Sequence, residues 1–296
     1  MNGLSGCTFS AGVVGAVAAI PKRIIQTAKS AELPLIGQAA RANAQLLNPD
    51  FEYCFFDNSQ VEDFIREEFP HYIETFNRFP HPIQRYDFFR YLAVYRLGGF
   101  YLDTDVFLAK GLSPLLGLGC VFPFEELTLS DYLRVKRGMD WELGNYAFGA
   151  EAGHPFIKAV IDNCVRIQED AHWADPMLES IPKPFRGQFV APITTGPGSV
   201  TRALAENPDL HPTVAVLFPD DVCDDQGWHR FGDYGIHLMQ ASWRNSDGFL
   251  RTRIARVWER RRRGGLLAQS KRLGPFRLGR WKTIAAHQKN NANALV

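Results

Sequence analysis

Two aspartates one residue apart, Asp103 and Asp105, sit in the apolar stretch GGFYLDTDVFL at residues 98–108. If that stretch stays extended, side chains alternate faces and the two carboxylates point the same way. Like charges sharing one site disfavour each other unless a cation or hydrogen-bond donor accepts them. Hard divalent cations such as Mn2+ or Mg2+ take carboxylate oxygens and complete their shell with phosphate and water. The pair therefore points to a metal-borne diphosphate. Taken alone, the spacing is more simply a loop with two solvated aspartates, since a lone DxD is common by chance.

A second charged pair precedes it. Asp87 and Arg90 lie three residues apart inside the aromatic run RYDFFRY, on one face of the expected helix over residues 83–97. Charge in so apolar a helix needs a partner. Either the two groups pair as a structural ion pair, or both edge the pocket of the aspartates. In the second case a carboxylate accepts from sugar hydroxyls and a guanidinium donates to them. Spacing does not choose between these.

The elements that must position these groups alternate in type. Residues 22–27 and 51–57 read as strands around a helix at 37–47, a βαβ opening that predicts an α/β domain with a mostly parallel sheet. Ser59 and Glu62 form a capping-box pattern for a helix ending at Pro70. The helix at 83–97 stops at Gly98-Gly99, and a strand at 100–102 follows it. Further strands are expected at 120–124 and 145–150, then a helix at 154–168, a helix starting near Ser199, and late strands within 214–219 and 235–240. Ligands of open α/β folds bind at the C-terminal ends of strands, where Asp103 and Asp105 would lie.

With 46% hydrophobic and 22% charged residues, the chain of 296 reads as globular, long enough for one large domain with an appended piece. Its net charge of +1 hides an asymmetry, because residues 251–296 hold 13 Lys and Arg against the single Glu259. The expected organisation is an N-terminal extension at 1–20, a domain at 21–250 and a basic, helical tail at 251–296. Five scattered cysteines without a CxxC pair indicate neither a disulfide framework nor a zinc site, and they fit a reducing compartment. The apolar run at 12–20 is too short to span a bilayer and has no basic residue before it.

The run RYDFFRYLAVYRLGGFYLDTDVFL resembles the signature of the DxD-containing sugar-transferase family 32, and is similar to the catalytic core of the clostridial glucosylating toxins. The resemblance extends over about 21–243 through IPKRIIQT, GNYAFGAEAGHP, TGPGSV and HLMQASW. It implies a GT-A-type Rossmann-like domain and retaining, metal-dependent transfer of a hexose from a UDP- or GDP-sugar to a glycan or lipid-linked hydroxyl, with bacterial surface polysaccharide synthesis as the setting. On that basis Asp103 contacts ribose and metal, Asp105 ligates Mn2+ or Mg2+, and His237 adds an imidazole. Asp87 and Arg90 hold the donor sugar, Asn145 lies by the anomeric carbon, and Ser242 with Trp243 close over the leaving phosphate. Gln26 and Thr27 stand on the nucleotide-binding strand, where relatives commonly carry His and Trp. Glu125, Glu126 and Glu142 are candidates for a covalent nucleophile, none singled out, and front-face displacement is expected instead.

The rival enzyme is a haloacid-dehalogenase-type phosphatase, whose strand-end DxD normally continues with Thr or Val where this chain has Phe107. A carbohydrate-binding relative without turnover is the non-enzymatic rival. No nucleic-acid partner is expected, since only the tail is basic. In that tail Leu266, Leu267, Leu273, Phe276, Leu278 and Trp281 interleave with Lys271, Arg272, Arg277, Arg280 and Lys282. This pattern suits either an anionic membrane surface or a solvated tail; a cytoplasmic protein is expected, held peripherally at the inner face of the membrane in the first case.

Overall fold

The computed structural model of the protein describes residues 19–170, 172–239 and 249–273, with backbone alone at 249–252 and 270–273. The chain opens as expected. Strand β1 (Arg23–Thr27) leads to helix α1 (Leu35–Leu47) and strand β2 (Glu52–Phe56), which pairs with β1 in parallel. Helix α2 (Asn58–Glu68) is capped two residues earlier than the Ser59 pattern suggests. The Asp57 carboxylate accepts from the Gln60 amide at 3.0 Å, and the Gln60 side chain accepts from Asp57 N at 3.0 Å. Both tetrads fit the same template; the helix takes the one adjoining the strand end.

After the short α3 (Ile73–Arg78) comes α4 (Pro82–Leu97), in which Phe88, Phe89, Tyr91, Leu92, Ala93 and Val94 are fully buried. A helix apolar on most sides belongs inside, and α4 packs under the sheet and against α5 (Pro155–Glu169). It ends at Gly98 and Gly99, with φ of 65° and 113°. A Cβ on Gly99 would stand 2.7 Å from the Arg23 carbonyl oxygen, so glycine is what lets strand β3 (Gly99–Leu102) lie beside β1.

Among the described residues the main sheet has seven strands, in the order β2-β1-β3-β7-β5-β6 with β8 also on β5. Here β5 is Cys120–Leu127, β6 Trp141–Leu143, β7 Ala147–Ala150 and β8 Ala215–Leu217. The expected parallel arrangement holds around β1 and for the β5–β8 pair, whereas β3–β7, β7–β5 and β5–β6 are antiparallel. No α-helix lies between β3 and β7 to supply the crossover that parallel neighbours need. The α/β class stands, with a mixed sheet.

Two elements absent from the sequence reading matter for the site. Strand β4 (Val106–Leu108) pairs antiparallel with β9 (Gly235–His237), setting Val106 opposite His237. Helix α7 (Arg186–Thr194), which follows the short α6 (Asp175–Leu178), leads through Thr195 into α8 (Pro197–Glu206). The basic C-terminal segment is drawn into the body as helix α9 (Phe249–Leu273). Ala255 is buried, the Trp258 ring stands 6.0 Å from those of Phe185 and Phe189, and Leu266 and Leu267 pack on the core. Those two leucines are thereby partly taken up by the core. The expected contributions of Phe276, Leu278, Trp281, Arg277, Arg280 and Lys282 lie outside the described residues, and of Lys271, Arg272 and Leu273 only the backbone is described. Among the described residues no helix is long and apolar enough to cross a membrane. Cys120 and Cys164 are buried thiols, while Cys54 is disulfide-bonded. A single bonded cysteine is not the framework whose absence the spacing led us to expect, and the spacing gave no sign of it.

Candidate functional site

β3 stops at Leu102, and the chain turns at once, the Val106 amide donating to the Asp103 carbonyl at 3.1 Å. The two aspartates therefore meet through a turn rather than by strand alternation. The β4–β9 ribbon then delivers His237, whose Nε2 stands 3.3 Å from Asp105 Oδ1 and whose ring stacks on Tyr146 at 4.4 Å. Each of Asp103, Asp105 and His237 offers a ligand atom within 4.8 Å of the others. Two carboxylates and one imidazole suit a divalent cation of the Mn2+ kind, the imidazole being less apt for Mg2+. Burial works against charge on His237, but Asp105 and Asp103 outweigh it and raise its pKa.

Arg90 is the hub behind this group. Its Nη2 lies 3.2 Å from Asp87 Oδ1, its Nη1 lies 3.3 Å from Asp103 Oδ1, and Nη1 also donates to the Asn145 carbonyl at 2.7 Å. Asp87 accepts from Asn145 Nδ2 at 3.1 Å and from the Thr195 hydroxyl at 2.8 Å. Burial nevertheless pushes its pKa up to about 6, against Arg90, Thr195 and Asn145. Asp103 is raised the same way, by burial against Arg90 and His237. Asp87 and Arg90 thus pair with each other and also line the cleft that holds the aspartates.

That cleft, about 1100 Å3, runs from Thr27 at the end of β1 past the aspartates to Glu125, Glu126 and Glu142 on β5 and β6, and on to α9. Thr27 donates its hydroxyl to the Phe56 carbonyl at 2.8 Å. Gln26 is fully buried; it accepts from the Tyr53 hydroxyl at 2.6 Å and donates to the Asp103 carbonyl at 3.3 Å. Its place is therefore beneath the turn that carries Asp103. Ser242 and Trp243 lie outside the described residues.

Several residues of the site went unnoticed in the sequence. Tyr101 donates to Asp103 Oδ1 at 2.7 Å, and the Tyr91 hydroxyl accepts from Asn145 at 2.8 Å while donating to the Thr195 carbonyl at 2.7 Å. Tyr101, second of the aromatic pair before DxD, carried a local signal. Thr195 and His229 carried none, since each reaches the site from a distant segment.

The similarities to known proteins fit this geometry. Residues 38–121 match the family model described as a glycosyltransferase sugar-binding region containing a DXD motif. Inositol phosphoceramide mannosyltransferase 3 of Schizosaccharomyces pombe is 33% identical over 53% of this chain and 40% of its own length. Mannosyl phosphorylinositol ceramide synthase SUR1 of Saccharomyces cerevisiae is 30% identical over 54% of the chain and 38% of its own. Inositol phosphoceramide mannosyltransferase 2 of S. pombe, 26% identical, aligns with 77% of the chain and 59% of its own length. The chain thus spans less than two thirds of each of these relatives. Among solved structures, PaToxG glycosyltransferase has a TM-score of 0.42 at 16% identity over 65% of this chain and 72% of that one. Residues 38–121 thus carry the sequence pattern of a glycosyltransferase sugar-binding region that contains a DXD motif.

Proposed function

We propose that the protein transfers a hexose from a nucleotide diphosphate sugar to a hydroxyl of a glycan or lipid-linked acceptor, with a divalent cation held by Asp103, Asp105 and His237. The observation that carries this reading is the convergence of that ligand set with the buried Asp87–Arg90–Asn145 network on one cleft. A divalent cation bound there supplies positive charge for the departing diphosphate. The protein's own groups do the rest. Asp87 presents a carboxylate to sugar hydroxyls, and Arg90 fixes Asp87, Asp103 and the Asn145 backbone in one frame. Asn145 stands beside the reacting carbon, and retention by front-face displacement is the course expected of the family resemblance. Thr27, at the end of β1, keeps its proposed place near the nucleotide.

The fungal relatives are named for mannosyl transfer to inositol phosphoceramide. A mannosyl donor and a phosphate-bearing lipid acceptor are therefore the first substrates to test, ahead of a bacterial surface polysaccharide. The rim of the cleft supports an anionic acceptor: Arg256 and Arg260, one helical turn apart on α9, line it and are not ion-paired among the described residues. They would also meet an anionic membrane surface, which suits peripheral attachment. The deciding experiment is a screen of UDP- and GDP-sugars for donor hydrolysis with Mn2+ and with EDTA, which needs no acceptor. Turnover of at least one nucleotide sugar that EDTA abolishes is expected, and none with any donor would refute the reading.

A further inference from the structure

The end of the cleft remote from β1 holds three glutamates whose surroundings make them unlike. Glu126 is spent on Arg263 of α9, which also reaches Glu259 at 2.6 Å. Glu142 accepts from the Thr128 hydroxyl at 2.6 Å. Glu125 differs from both. Its Oε1 stands 3.3 Å from His229 Nδ1, while its buried Oε2 has no hydrogen-bond donor among the described residues. A buried acceptor without a donor is costly and rare, and the usual explanation is a missing ligand or water.

The surroundings of that oxygen tie it to the sugar site. Oε2 lies against Gly144, where a Cβ would come within 2.5 Å of it, and the next residue is Asn145. A Cβ there would also meet the Tyr146 ring at 2.6 Å, so glycine is what lets the segment leading into Asn145 pack against this carboxylate. His229 stands beside the other oxygen from a left-handed backbone conformation, φ 56°, and its carbonyl accepts from the His237 amide at 3.0 Å. Strain of this kind persists where the surrounding structure over-determines it, commonly at ligand sites. Glu125, His229, Asn145 and Asp87 all line the one cleft.

We propose that Glu125 Oε2 accepts a hydrogen bond from the attacking hydroxyl of the acceptor, with His229 as the positioning residue that holds the carboxylate. The pocket between β5 and α9 is then the acceptor subsite, and its ligand is a polyol or sugar hydroxyl. Glu125 orients that hydroxyl and forms no bond to the transferred sugar. The inference rests on the transferase reading above.

The test uses the full chain, the donor found in the hydrolysis screen, and myo-inositol or methyl α-mannoside as acceptor probes. In the parent protein, added probe diverts donor from hydrolysis to a glycosylated probe. Glu125→Ala is expected to raise the probe KM about tenfold or more, while calorimetry with Mn2+ and the free nucleotide stays within about twofold, tenfold being about 1.4 kcal/mol. Glu125→Gln keeps an acceptor oxygen and is expected to recover most of the loss, and being nearly isosteric it serves where the alanine variant fails to fold. Parental hydrolysis without diversion to either probe overturns the acceptor subsite but leaves the transferase reading standing. A glutamine variant that loses kcat entirely, or a glycosyl adduct on Glu125 by mass spectrometry, would make Glu125 a nucleophile and overturn the orienting role. Unchanged probe KM in both variants overturns it outright.

Discussion

Glu142 is a carboxyl whose charge the fold resists, and replacing it with glutamine should stabilise the protein at neutral and alkaline pH but not below pH of about 4.5. Burial, and then the neighbouring Glu126, push its pKa from the ordinary 4.5 up to about 7. Across that window the folded chain keeps a proton that the unfolded chain has released. Stability contributed by the protonated form is therefore lost as pH rises through the window, and the loss is complete above pH of about 7. At about 1.4 kcal/mol per pH unit the full separation corresponds to roughly 3 kcal/mol. Glu142 retains some access to the cleft, which trims the expectation to about 1–3 kcal/mol. Glu142→Gln removes the charge and keeps an oxygen for Thr128. Urea unfolding at pH 8 should show the variant more stable by that amount, and at pH of about 4.5 the two proteins should coincide. An equal gain at both pH values would mean that packing rather than ionisation is responsible, and no gain at pH 8 would refute the assignment.

Three further outcomes are expected. Asp105→Asn should abolish Mn2+-dependent donor hydrolysis with the far-ultraviolet circular dichroism unchanged, and parental turnover in Mn2+ would remove Asp105 from the metal site. Asp87→Asn should weaken the nucleotide sugar by about 1–3 kcal/mol in calorimetry and leave the free nucleotide almost unaffected, whereas Arg90→Ala, which strands buried Asp87, should cost about 3–5 kcal/mol of stability. Equal weakening of both ligands in Asp87→Asn would reduce Asp87 to a structural role. Arg256→Glu combined with Arg260→Glu should reduce sedimentation with anionic vesicles by at least tenfold at low salt, at about 1 kcal/mol per basic residue; unchanged sedimentation would exclude this face of α9 from membrane attachment.

What the sequence made legible was local. The DxD pair, the aromatic helix with Asp87 and Arg90, and the glycine stop occupy one continuous run whose spacing already dictates helix, stop and strand. The backbone has no freedom to separate them: Gly99 packs its backbone onto Arg23, and the turn after Leu102 brings both aspartates to one side. His237 could be attached to this group only through resemblance, because the β4–β9 pairing that delivers it joins distant segments through strands of three residues. Thr195, His229 and Arg263 were illegible for the same reason, and their effect is chemical as well as structural. Three glutamates that look interchangeable in the sequence are set apart by them. Arg263 and His229 work against burial at Glu126, whose pKa still ends up raised; burial and Glu126 raise Glu142; and His229 overcomes burial to lower Glu125. A carboxylate held ionised by a neighbouring imidazole can accept a hydroxyl hydrogen bond at neutral pH, and one half-protonated near neutrality does so less well. The division of labour along this wall of the cleft is therefore written in the contacts between β5, the His229 turn and α9, and residue type alone could not have revealed it.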